Sequence, residues 1–438
     1  MDLSPTPTDL LLNCLRFDDP AARLARLGQY GEAEQWTAII EQAQLHGLTS
    51  YVAGLLIPLA RAIQLPEPVL EQLRTTRLKQ ISQNLLIYHT LHRLLQLFNS
   101  AGISVIALKG VHLARFVYQD ISLRGMSDID LLINPEQLAR AAEIVEAQGY
   151  RASNPYDVAL YPQVSHQLPH FLKQNAPIIE LHTSLSDPGM SITEDLPGIW
   201  QRAQSATFDG LPAQVLCAED LLLHSVLHAA HSHSFNLGLR PLLDQAMILK
   251  CYRAEINWDV LTDRAAAWNL SKSLYVCLQL AADLLDAPVP GEALERLAPS
   301  TMPPMALETL KWYVLTRPTA LSTNVAELYT QSAVQTRYVR LFRRVFIGRT
   351  QLGAAYNVSP HSIRIYWFYL IRLAHLLREN WLLALRLLRH DTRTFSIVNR
   401  QGAVLDILNW MVAPTSFTHS ARASTKPTAR TPAPAMRR

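Results

Sequence analysis

"LRGMSDIDLLI", residues 123–133, sets two aspartates, Asp128 and Asp130, at the head of an aliphatic run. The run predicts a short buried strand, and strand side chains alternate between faces. Asp128 and Asp130 therefore point the same way, and their carboxylates lie close together. Neighbouring carboxylates repel, and burying them without a partner costs several kcal/mol. Either a cation neutralises them or they stand at a solvated strand end. If no cation is bound, losing either carboxylate is expected to relieve the repulsion.

The flanking sequence favours the cation. Upstream, "ISVIALKG" (103–110) is a β-rich run ending in Gly110, followed by "VHLARFVYQD" (111–120) at helical spacing. Where a strand ends in Gly and runs into a helix, free backbone N–H groups and the positive helix end meet, and such a point binds phosphate. Lys109 adds a point charge. Downstream, "PEQLARAAEIVEAQGY" (135–150) predicts a helix with Pro135 in its first turn and Gly149 at its end. Two more strands are expected near "HQLPHFLKQ" (166–174) and "APIIELHTSL" (176–185). Glu180 lies in the second of these, an apolar strand where a lone carboxylate is costly. Asp-x-Asp on one strand and a third carboxylate on another suit Mg²⁺ or Mn²⁺ bound jointly to carboxylates and substrate phosphates.

Around this α/β block the chain is helical. Residues 8–99 carry apolar residues at helical spacing, with Gly102 as a stop signal, and helices resume at Ala218. The 438 residues, 49% of them hydrophobic, can bury a large core. The expected regions are 1–100 (helical), 101–215 (α/β core), 216–300 (helical, packed on the core), 301–413 (helical, arginine-rich) and 414–438 (a disordered basic tail). The net charge of +4 falls to −1 once the five basic residues of that tail are set aside, so overall charge gives little support for nucleic-acid binding. Cys14, Cys217, Cys251 and Cys277 are scattered, as expected for free thiols in a reducing cytoplasm, and the N-terminus shows no secretory pattern.

In motif order and spacing the chain resembles the nucleotidyltransferases of the polymerase-beta-like superfamily, and is most similar to a group known only as uncharacterised nucleotidyltransferases. The resemblance rests on Leu108-Lys109-Gly110, Arg124 with Asp128-Ile129-Asp130-Leu131-Leu132, Glu180-Leu181-His182, and His224 and His228 with Asp244. It covers about residues 30–290 and thins after Leu285. In one place the chain departs from the pattern. Lys109-Gly110 stands where the superfamily usually has Gly-Gly or Gly-Ser, so its phosphate contacts must differ.

The resemblance implies an α+β fold, a small mixed-sheet nucleotidyltransferase domain flanked by largely helical regions. It implies a transferase moving a nucleoside monophosphate from a nucleoside triphosphate such as ATP to an acceptor hydroxyl, with Mg²⁺ or Mn²⁺ as cofactor. Asp128, Asp130 and Glu180 are then the catalytic metal ligands, with Glu180 also orienting or deprotonating the acceptor. Lys109, Gly110, Arg124 and Ser127 face the nucleotide, and His182, His228 and Asp244 support the site from behind. Arg124 could instead pair with Asp120 or Asp128.

Other readings compete. His224, His228 and His231 share one helical face, but no Glu follows in the H-E-x-x-H pattern, so a supporting role is favoured over zinc. An Asp-x-Asp glycosyltransferase would hold its metal similarly, yet usually needs a larger nucleotide-binding domain. A catalytically degenerate module that binds a nucleotide or peptide is the non-enzymatic alternative. Arg337 to Arg389 holds ten arginines in an apolar helical pattern. They break it too often for a transmembrane span. Packing is favoured there over an RNA-contacting or membrane-surface face. The acceptor (protein, RNA or small molecule) stays open.

Overall fold

The computed structural model of the chain describes residues 5–317, 342, 346–356, 358, 361–388 and 392–413. The expected tail, 414–438, and parts of the arginine-rich stretch (337–341, 343–345, 357, 359–360 and 389) lie outside the described residues.

Five helices lead: α1 (Pro7–Leu15), α2 (Pro20–Leu27), α3 (Ala33–Leu45), α4 (Thr49–Leu59) and α5 (Glu67–Ser100). Local chemistry sets their starts. Thr6 and Asp9 exchange hydrogen bonds in a capping box at α1, and Asp19 caps α2 ahead of Pro20. At 34 residues, α5 is roughly 50 Å long. Val69, Leu70 and Leu73 at its start enter one hydrophobic core, while Leu91, Leu94, Leu95 and Phe98 near its end enter another.

A seven-stranded sheet separates these two cores. Its strands are β1 (Val105–Ala107), β2 (Asp128–Ile133), β3 (Arg151–Ala152), β4 (Phe171–Leu172), β5 (Ile178–His182), β6 (Gln204–Phe208) and β7 (Leu211–Val215). They lie in the order β3-β4-β5-β2-β1-β7-β6, with β2–β5 and β1–β7 parallel and the other neighbours antiparallel. The four strands foreseen from the sequence are present. The β6–β7 hairpin, which closes one sheet edge, was not foreseen.

Alternation along β2 and β5 distributes the side chains. Ile129, Leu131, Ile133, Ile179 and Leu181 face the smaller core, shared with the end of α5 and with α7 (Leu138–Ala147). Leu132 faces the larger core on the other side, as do Ile106 and Leu108. The run after β1 is the short helix α6 (Lys109–His112), continued by a π-helical turn, Leu113–Val117.

After α8 (Leu196–Arg202) and the hairpin come α9 (Ala218–Leu227), α10 (Arg240–Cys251), α11 (Trp258–Ala267), α12 (Ser271–Leu285), α13 (Gly291–Leu297) and α14 (Ala306–Thr316). Further helices run Arg349–Tyr356, Ile365–Leu388 and Thr392–Val412. The last of these joins the larger core through Val404, Ile407 and Met411. The Lys272 ammonium donates to the carbonyls of Trp410 at 3.0 Å and Ala413 at 2.8 Å, tying that helix to α12. Helix Ile365–Leu388 differs from the expected packing at Tyr366, Trp367 and Leu370, which are 53%, 65% and 58% exposed. All four cysteines are free thiols, and three are buried. Among the described residues no helix is long and apolar enough to cross a membrane.

The fold is α+β: a seven-stranded mixed sheet with helical regions before and after it.

Candidate active site

The parallel register of β2 on β5 sets Asp130 directly beside Glu180 and Leu132 beside His182. Asp128, Asp130, Glu180 and His182 therefore share the sheet face turned toward the larger core. On that face lies a cleft of about 350 Å³, within the range of small-molecule sites. α9, α10 and the turn after α9 line its far wall.

The Leu108 N–H donates to the Asp130 carbonyl at 3.0 Å, and Lys109 then turns through a left-handed backbone (φ 43°). This sharp turn brings the Lys109 ammonium over the carboxylates, 2.7 Å from Asp130 Oδ1 and 3.6 Å from Glu180 Oε2. His182 Nε2 lies 3.0 Å from the same Asp130 oxygen and 3.4 Å from Glu180 Oε2. His170 reaches Glu180 Oε1 at 3.2 Å from the open side. Burial pushes the Asp130 carboxyl up, but the Lys109 ammonium and the His182 contact outweigh it and hold it well below the usual carboxylate range. For Lys109 too, burial opposes the charge, and Asp130 and then Glu180 more than restore it.

Asp128 is different. It makes no ion pair among the described residues, and burial, followed by the charges of Asp130 and Glu180, raises its pKa. This corrects the symmetric expectation for the two aspartates. The repulsion falls on Asp128, whereas Asp130 is compensated by Lys109 and His182.

Ligand atoms of Asp130, Glu180 and His182 all lie within 4.8 Å of one another. Among the described residues this is the one such group of three, and it differs from the expected trio by holding His182 in place of Asp128. Two carboxylates and one imidazole on neighbouring strands are a fitting donor set for a divalent cation, and the nitrogen suits Mn²⁺ better than Mg²⁺.

Arg124 does not pair with Asp120 or Asp128. Its guanidinium grips Asp244 on α10 with two bonds, 3.0 Å and 2.9 Å, and Tyr118 donates to the same carboxylate at 2.8 Å. Asp120 is taken by Arg77, at 3.2 Å. Helix α5 holds the loop that carries Arg124. Asn84 donates to the carbonyls of Ile121 and Arg124, and Gln83 donates to that of Met126 at 2.7 Å. Ser127 is exposed on the cleft wall, and Gly110 is buried beneath it. A Cβ on Gly110 would lie 3.1 Å from the Met126 side chain, which would have to give by a few tenths of an ångström to admit it.

His224 lies in the last turn of α9, and the chain then widens into a π turn, His228–Ser232. π turns inside helices are frequent at functional sites. His228 and His233 approach nitrogen to nitrogen at 3.1 Å, and His231 bonds Ser273 Oγ at 2.8 Å. Burial and then the Lys109 charge hold His224 and His228 well below the ordinary imidazole range. Burial lowers His231 to about 4. Neutral, they form a polar wall that adds no charge to the cleft.

Three cleft features escaped the sequence. Arg240 lines the cleft and makes no ion pair among the described residues, its pKa lowered by burial and then by Arg124. His166 Nδ1 bonds Asp187 Oδ1 at 2.5 Å, with its ring against that of His182. His170 is the third. Arg240 had one available signal, its place at the first position of α10 beside Pro241. The His166–Asp187 pair joins two loop residues 21 positions apart, on either side of β4 and β5, and leaves no periodic trace.

The sequence profile described as uncharacterised nucleotidyltransferase matches residues 32–286. No curated protein matches the chain. Among solved structures, a solution structure of the antibiotic-resistance factor ANT(2'')-Ia is similar at 16% identity and a TM-score of 0.31, covering 46% of this chain and 96% of that one.

Proposed function

Because this chain belongs to the uncharacterised nucleotidyltransferase family, we propose that its cleft transfers a nucleoside monophosphate from a nucleoside triphosphate to an acceptor hydroxyl. Nucleotidyl transfer is the general reaction of the family, and the residue roles, the metal and the acceptor are parts of the proposal. One observation carries the reading. Among the described residues the cleft holds two opposite charges without ion-pair partners, Asp128 and Arg240, and the shifts of both disfavour the charged form. A cation bound to a triphosphate supplies a partner for each.

Asp130 and Glu180, with His182 behind them and Asp128 at the rim, hold the cation. A divalent ion held there, Mg²⁺ or Mn²⁺, would supply charge to neutralise the phosphates and to stabilise the charge that develops at the α-phosphorus. Arg240 and Lys109 bind the phosphate oxygens. Arg124 acts one step removed, its clamp on Asp244 fixing the loop that presents Ser127 and Asp128. Glu180 also orients the acceptor hydroxyl and draws off its proton as the acceptor oxygen bonds the α-phosphorus and the bond to the β-phosphate breaks, releasing pyrophosphate. Residues 101–215 supply the acids and Lys109, α10 adds Arg240 and Asp244, and the remaining helices of 1–100 and 216–300 select the acceptor.

The test is incubation of the full chain with each α-labelled nucleotide, Mg²⁺ or Mn²⁺, and cell extract. Label moving to protein, RNA or a small molecule is the expected result and identifies the acceptor. Turnover of a sugar nucleotide with no nucleotidyl transfer would overturn the proposal.

A further inference from the structure

We infer that Lys109 is a built-in counter-ion occupying the position of the divalent cation, so that metal enters this site only as the lysine side chain leaves it. The inference rests on the reading of Asp130 and Glu180 as metal ligands. It adds that the chain is closed to metal alone.

The argument is one of space and charge. The Lys109 nitrogen already bonds Asp130 Oδ1 at 2.7 Å and stands 3.6 Å from Glu180 Oε2, between the two oxygens that converge with His182 Nε2. A metal ion bound by both oxygens sits about 2.0–2.2 Å from each. It would bind the same two oxygens that the ammonium already faces. Two cations cannot share that gap, because their repulsion grows steeply in a poorly hydrated site.

The lysine has somewhere to go. Its side chain is 20% exposed toward the cleft, while the Asp130 side chain it covers is 1% exposed. The ammonium is thus a movable plug on a fixed acid. A triphosphate arriving with its metal offers the displaced ammonium new oxygen partners at the moment it is expelled. Metal and nucleotide therefore bind as a pair, each lowering the cost of the other. Free metal meets an acid already neutralised from within.

Lys109→Met keeps the apolar stem and removes the charge. With the full-length chain and Mn²⁺ alone, no nucleotide present, free Mn²⁺ is read by its electron paramagnetic resonance signal. The variant is expected to bind Mn²⁺ about tenfold more tightly than wild type, or better, because the ion no longer displaces a charge-assisted hydrogen bond. The double variant Lys109→Met/Asp130→Asn should lose the gain, which locates it. Lys109→Gln, one atom shorter, polar and uncharged, serves as the second variant, with circular dichroism confirming the fold of each.

Equal or weaker Mn²⁺ binding by both folded single variants would overturn the inference. So would a gain that survives Asp130→Asn. These readings involve no turnover. If they hold while no labelled nucleotide is transferred, the proposed reaction fails and the lysine plug stands; the converse result separates the two in the other direction.

Discussion

Asp128 and Asp130 look equivalent in the sequence and are not equivalent in the fold. Asp130 has Lys109 and His182 as partners, whereas Asp128 bears the residual repulsion. Asp128→Asn should therefore raise the melting temperature of chelator-treated protein, and Asp130→Asn should lower it, while both abolish transfer. Differential scanning fluorimetry in EDTA, alongside the labelled-nucleotide assay, measures each outcome. Arg124→Ala is expected to cost about 3–5 kcal/mol in denaturant unfolding, because it strands the buried Asp244 carboxylate. At this scale the sequence was half legible. "DIDLLI" and "PIIELH" revealed the acids because carboxylates in apolar strands are conspicuous. The partner of Arg124 was hidden, because the choice between Asp120, Asp128 and Asp244 depends on how α10 crosses the sheet 120 residues later.

At the scale of elements, periodicity revealed the long helices and the apolar strands and missed the hairpin. β6 and β7, "QSATF" and "LPAQV", are weakly apolar, and only Val215 and Phe208 are buried. The turn signal was present all the same. Asp209-Gly210 closes the hairpin with φ of 49° and 84°, the pairing of residues such turns require. Gly210→Ala should cost roughly 1 kcal/mol in unfolding and leave transfer unchanged, since it strains a turn far from the acids. Asn84→Ala is the contrasting case. It touches neither metal nor phosphate groups, yet it frees the carbonyls of Ile121 and Arg124. The expected result is a loss of about 1–3 kcal/mol together with a raised KM for nucleotide, because the loop from Asp120 to Ser127 is then held to α5 only at its ends, by Arg77 and Gln83. A steady-state KM and kcat comparison with wild type tests this; a change in stability alone would make Asn84 purely structural.

For the whole molecule, the sequence suggested consecutive regions, while the hydrophobic cores are partitioned by the faces of the sheet. Val404, Ile407 and Met411, near the far end of the described chain, join the same core as Leu11 and Trp36. Composition and spacing report what a segment buries and not where, so this long-range sharing was illegible. One consequence follows from α5, the 34-residue helix whose two ends are sunk in the two cores. A rod common to both cores cannot lose its footing in one and remain ordered in the other. Heating should thus produce a single calorimetric endotherm, with equal van't Hoff and calorimetric enthalpies for the cores together. Mn²⁺ with nucleotide should shift that endotherm upward as a unit. Thermodynamically the rod is an axle: occupancy of the cleft on one side of the sheet is felt as stability by the smaller core on the other.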